Sequence, residues 1–131
     1  MYRGPERRKF IRIKVNFIVN YYVDHPFSLR RLMGIDKEYS GLMLDLSEEG
    51  MGILVDYNLP AETVLSINFV LINQNSLYDK LTKINLFGQV CYNLSLKKGE
   101  YRLGIHFIDI EEADKLKIRD FVCNRAVSNS S

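Results

Sequence analysis

Ile13-Lys14-Val15-Asn16-Phe17-Ile18-Val19-Asn20-Tyr21 is the stretch that sets the fold class. In an extended chain, Ile13, Val15, Phe17, Val19 and Tyr21 share one side, while Lys14, Asn16, Ile18 and Asn20 share the other. A period of two marks a strand with one buried face, because successive side chains point to opposite faces. The pattern returns along the chain. It predicts strands near 39–46 and 51–56, and a fourth over 63–72 with Leu65, Ile67, Phe69 and Leu71 on one face. A fifth is expected over 83–92, and a sixth lined by Tyr101, Leu103, Ile105 and Phe107. Leu59-Pro60, the polar stretch 73–80 and Lys97-Lys98-Gly99 read as turns and loops between them. Residues 24–38 break the alternation and predict a connection with a short helical turn at 28–33.

The chain ends in a different rhythm. Ile118, Phe121, Val122 and Ala126 follow helical spacing, and acidic residues precede basic ones, as the helix dipole favours. Asp109 with Glu112 three residues later resembles a capping box, which predicts a helix over 111–126. Residues 128–131 are expected to fray. The expected fold is mainly β: a six-stranded antiparallel barrel with a C-terminal helix packed on it. A closed barrel leaves no strand edge open to aggregation. One domain is expected over 1–131, made of a mobile basic arm (1–12), the barrel (13–109) and the helix.

Composition narrows the function classes. Apolar residues make up 47% of the 131, with seven Phe and eight Tyr, which excludes disorder as the main state. The longest stretch without charge, 63–78, is interrupted by Ser, Asn and Gln, so no membrane span is expected. The opening MYRGPERRKF has no apolar core and reads as no secretory signal; a cytoplasmic location follows as the expectation. Cys91 and Cys123 stand outside any Cys-x-x-Cys pattern and are expected to be reduced and buried. His25 and His106 lack ligand-like spacing, so no metal is expected. No nucleophile–base pair or phosphate-cradling Gly loop appears, and no enzyme is expected.

Charge is unevenly placed. Residues 1–14 carry six basic residues against Glu6, a net +5, while the other 117 carry 12 basic and 15 acidic, a net −3. Within the arm, Arg8 and Arg12 stand four apart, and Arg7 precedes them. Guanidinium groups pair bidentately with phosphate or with the Hoogsteen edge of guanine. A solvated basic arm is the plainer reading of this run taken alone. A second motif follows in Asp45-Leu46-Ser47-Glu48-Glu49-Gly50. With Leu42, Leu44 and Leu46 facing inward, Asp45 and Ser47 project from the opposite face, and Gly50 allows a backbone shape other residues resist. Asp45 then offers a carboxylate suited to the N1–H and N2–H₂ donors of guanine. An ordinary turn, with Asp and Ser bonded to local backbone, accounts for this motif equally well.

Together, Arg8-x-x-x-Arg12 and Asp45-x-Ser47-x-x-Gly50 resemble the double signature of the PilZ domain family, over roughly residues 6–125. The resemblance implies a barrel that binds the bacterial second messenger cyclic di-GMP and reports it, through movement of the arm, to a downstream protein. Arg8 and Arg12 would contact guanine and phosphate, Asp45 and Ser47 a guanine edge, and Gly50 would shape the turn. Arg7 matches an extra Arg that accompanies two bound ligands per chain in some members. Many members carry a Trp near the end of the fifth strand. Here Tyr92 stands close to that place, and its parity with Val90 leaves stacking and core packing both open. Two other readings compete: a small barrel that binds nucleic acid, which the acidic barrel disfavours, and a nucleotide-independent adaptor, which the arginines disfavour.

Overall fold

A computed structural model describes residues 10–73 and 80–129. Six antiparallel strands close into a barrel: β1 (Arg12–His25), β2 (Tyr39–Ser47), β3 (Gly50–Val55), β4 (Val64–Asn73), β5 (Lys80–Lys97) and β6 (Glu100–Asp109). Around the ring the order is β1-β2-β3-β6-β5-β4, with β4 returning to β1. Helix α1 (Phe27–Met33) fills the connection between β1 and β2, and α2 (Glu112–Asn129) follows β6. No helix among the described residues is long and apolar enough to cross a membrane.

The alternation in β1, β4 and β6 builds the interior. Val19, Tyr21, Leu65, Ile67, Phe69, Leu71, Leu103, Ile105 and Phe107 are all buried, as their period of two requires. The core also takes in Ile118, Phe121 and Val122 of α2, which covers one side of the barrel. Phe121 meets Phe17 at a ring-centroid distance of 5.7 Å, within the usual range for a tilted aromatic pair. At the β5–β6 hairpin Lys97 pairs with Glu100, so Lys98 and Gly99 form the tight turn, with Gly99 at φ 76°.

Several expectations are corrected, mostly for one physical cause. β-Bulges insert a residue and reverse the inward–outward alternation beyond it. In β2 the register against β3 runs Met43↔Ile53 and then Asp45↔Gly52, leaving Leu44 as the extra residue. Met43 and Leu46 therefore point into the core, while Leu42 and Leu44 are only partly buried. In β5, Val90 pairs with Ile105 and Tyr92 with Gly104, so Cys91 is the extra residue. Val90 stays inside and Tyr92 turns outward, which removes it from the core. The bulge also exposes Cys91, and Cys123 lies beyond the buried pair Phe121 and Val122 on the outer side of α2. Both thiols are exposed, against the expectation of burial. β5 is longer than its predicted span, because Leu94 and Leu96 continue the strand on the barrel exterior. Asp109 is the last residue of β6 and does not cap the helix; Glu111 takes that place, its carbonyl accepting from the Lys115 N–H at 2.9 Å.

Candidate functional site

A row of outward-facing residues runs across five strands. Lys14 pairs with Asp45, Asp45 with Gly52, Gly52 with Gly104, and Gly104 with Tyr92. Two adjacent glycines in the middle of this row leave a depression in the barrel wall. Their neighbours fold over them. A Cβ on Gly52 would lie 2.9 Å from Asp45 Oδ2, and one on Gly104 would lie 2.0 Å from the Tyr92 ring. Glycine inside a strand marks a close approach of this kind. Gly52 thus makes room for the carboxylate, and Gly104 makes room for the ring.

Beside this row lies a cleft of about 280 Å³, lined among others by Arg12, Asp45, Gly50, Tyr92, Arg102 and His106. Asp45 is its centre and is 8% exposed. Its Oδ1 accepts from Arg12 Nη1 at 2.5 Å and from the Gly52 N–H at 2.9 Å; its Oδ2 accepts from Arg102 Nη2 at 2.8 Å. A carboxylate this desolvated needs paired positive charge, and two guanidinium groups supply it. Tyr92 stands beside them, 43% exposed, with its ring over Gly104.

The β2–β3 hairpin that carries Asp45 is fastened on both sides. Ser47 Oγ accepts from the backbone N–H groups of Glu49 and Gly50 at 3.3 and 3.2 Å, and donates to the Gly50 carbonyl at 3.3 Å. The hydroxyl is 1% exposed and turned into its own hairpin, so it organises the turn and does not line the cleft. On the opposite side, Arg119 of α2 grips Glu48: Nε donates to Oε1 at 3.0 Å and Nη2 to Oε2 at 2.9 Å. This fork-to-fork hydrogen bonding holds the Glu48 carboxyl below its ordinary range, against the opposing effect of burial.

A group with a depressed folded-state pKa contributes stability that is complete above its unfolded value and is lost as pH falls through the folded value. Glu48→Gln should therefore melt below the wild type at neutral pH, and the gap should narrow as the pH drops below 4.5. Thermal midpoints of the two proteins, taken from neutral pH to about pH 3, check this. Other carboxylates are common to both and cancel. A gap that stays constant across the range would mean that ionisation of Glu48 adds nothing to stability.

The sequence-predicted residues are thus partly united. Arg12, Asp45 and Gly50 meet at the cleft, Tyr92 joins them, and Ser47 supports them from behind. Arg7 and Arg8 lie outside the described residues, as does the arm over 1–9. The reason for Gly50 differs from the expectation. Among the described glycines, those with positive φ are Gly34 and Gly99; Gly50 is needed because a Cβ there would sit 2.3 Å from the Ile105 carbonyl oxygen. Arg102 was not foreseen. Its signal would have been the glycine two residues on, Gly104, placed mid-strand where only a close approach explains it.

A family model described as the PilZ domain matches residues 6–123. The chain belongs to the PilZ domain family. Solved structures of PilZ proteins share the fold. The Bacillus subtilis inhibitor of motility MotI/DgrA is 13% identical with a TM-score of 0.71, over 93% of this chain and 52% of that one. The PilZ domain of Escherichia coli YcgR, solved with cyclic di-GMP, is 13% identical with a TM-score of 0.59, over 95% and 97% of the two chains. The PilZ domain of CeSA from a cellulose-synthesizing bacterium is 14% identical with a TM-score of 0.55, over 88% and 98%. The present chain spans about half the length of the Bacillus subtilis protein. Comparison with curated protein sequences gives no match.

Proposed function

We propose that this PilZ domain is a non-enzymatic receptor for cyclic di-GMP that passes the signal to a protein partner. The observation that carries the reading is the meeting of Arg12 and Asp45, one from each half of the PilZ signature, at one open cleft with a tyrosine face beside it. Each part suits a piece of the ligand. Guanidinium groups take phosphodiester or the guanine Hoogsteen edge, the carboxylate takes N1–H and N2–H₂, and Tyr92 offers a surface for a purine. Arg7 and Arg8 of the basic arm would close over the bound nucleotide, and with Arg7 present two ligands per chain are expected. Two interleaved ligands put four phosphate charges in a small volume, and their repulsion is offset only by nearby cations.

The arm reaches α2 as well as the cleft. Phe10 and Ile11 line a small cavity with Glu48, Arg119, Val122 and Cys123. Moving Arg12 onto a ligand would shift its neighbours Phe10 and Ile11 against α2, which makes that helix the route of output. Calorimetric titration tests the reading. Cyclic di-GMP should bind and saturate at two per chain, while cyclic di-AMP, which lacks the paired donors, should bind far more weakly. Absence of any heat with cyclic di-GMP, under conditions where the barrel is folded, would defeat the proposal.

A further inference from the structure

We infer that Arg102 is a positioning residue for base selection: it stays on Asp45 when Arg12 moves to the ligand, and so keeps the carboxylate aimed at guanine. The inference rests on the cyclic di-GMP reading and names a residue outside the PilZ signature.

The lone pairs of Asp45 carry the argument. Its two carboxylate oxygens offer about four acceptor positions. Three are in use: Gly52 N–H and Arg12 on Oδ1, Arg102 on Oδ2. A guanine edge brings two parallel donors and needs one free position on each oxygen. Oδ2 has one already; Oδ1 gains one only when Arg12 leaves. After that exchange each oxygen keeps a single anchor, Gly52 on one and Arg102 on the other, and presents one open position. The carboxylate plane is then fixed at both ends, which is the geometry a paired donor reads.

The choice of which arginine leaves is set by place in the fold. Exposure does not decide it, because the two side chains are 31% and 35% exposed. Arg12 is the first residue of β1 and continues directly into the basic arm. Arg102 lies within β6, paired across to Leu54 on one side and Leu94 on the other. Moving Arg12 needs only the strand end to shift, whereas moving Arg102 would disturb two ladders. Arg102 also keeps a positive charge beside the buried carboxylate, which would otherwise be left without a charged partner.

The test compares cyclic di-GMP with cyclic di-AMP on the wild type, Arg102→Met, Arg102→Lys and Arg31→Met. Arg31, exposed on α1, removes the same charge away from the cleft. In the wild type, cyclic di-GMP should bind more tightly than cyclic di-AMP. Arg102→Met should weaken cyclic di-GMP about tenfold and shrink the preference for it, as loss of one good guanine-reading contact does. Arg102→Lys should recover part of the affinity, and Arg31→Met should match the wild type. A wild type that binds neither nucleotide defeats the receptor reading itself. A wild type that selects guanine, with Arg102→Met keeping both affinity and preference, overturns the role of Arg102 alone. Equal weakening of both nucleotides by Arg102→Met overturns it too, since that is the loss of a charge without loss of aim. Circular dichroism of each variant confirms the folded barrel against which these ratios are read.

Discussion

Arg12→Ala is expected to weaken cyclic di-GMP binding about tenfold or more while leaving the barrel folded. The size of the effect follows from what Arg12 does before the ligand arrives. Its Nη1 is already paired with Asp45 Oδ1, so binding exchanges one ionic hydrogen bond for another. The gain from the new contact is reduced by the loss of the old one. A bidentate guanine contact is worth about 1–3 kcal/mol of discrimination in DNA readout, and the exchange puts Arg12 toward the lower half of that range. About 1.4 kcal/mol is tenfold. The fold should survive because Asp45 retains Arg102 and the Gly52 N–H, and because the Arg12 side chain is outside the core. Titration of the variant at low salt, with circular dichroism alongside, measures both halves of the expectation. Unaltered affinity would place the ligand elsewhere than this cleft.

The barrel was legible because its signal is redundant. Val19 and Tyr21, Leu65 and Ile67, Leu103 and Ile105 repeat one message, that every second residue is inside. Helix α2 was legible for the same reason, through Ile118, Phe121 and Val122. The site was less so, because it depends on two single-residue insertions that the hydrophobic pattern hides. Leucine at 42, 44 and 46 makes a regular alternation, yet the bulge at Leu44 gives the core Met43 and Leu46. Any of these side chains is apolar enough for either face, so the sequence does not mark where the parity turns. The bulge at Cys91 does the same for Tyr92 and decides between core and cleft. Arg102 was invisible for a different reason. One arginine in a strand looks like any solvated exterior residue until the register sets Gly104 beside Gly52 and brings β6 next to Asp45. The motif Asp45-x-Ser47-x-x-Gly50 lies on the hairpin that borders the cleft. Its members divide their work, however: Asp45 faces the cleft, while Ser47 ties the turn together behind it.

Gly50→Ala is expected to destabilise the protein by about 3 kcal/mol, near the top of the range for overpacking, and to distort the cleft with it. The added methyl would sit 2.3 Å from the Ile105 carbonyl oxygen and 3.4 Å from its carbon. The obstacle is backbone, so no rotamer change relieves it. Ile105 belongs to β6, which is hydrogen-bonded to β3 on one side and β5 on the other, so it cannot retreat without opening a ladder. Gly50 is itself held from the hairpin side by Ser47 Oγ, and the Phe107 N–H donates to the Glu49 carbonyl at 2.9 Å next to it. The strain must therefore pass into the hairpin that carries Asp45 and Glu48, and both the Arg102 contact and the Arg119 clamp should loosen. Gly99→Ala gives the contrasting case. A Cβ there meets nothing within 4 Å, but φ is +76°, so the penalty is conformational alone, about 1 kcal/mol. Urea midpoints at equal slope compare the two directly. Gly50→Ala should unfold at clearly lower urea than Gly99→Ala, and at half-saturating ligand it should bind less cyclic di-GMP even where it remains folded. Equal midpoints would mean that β3 and β6 part at Gly50 for no more than the conformational cost at Gly99, and that the glycine of the PilZ signature is not there to let two backbones meet.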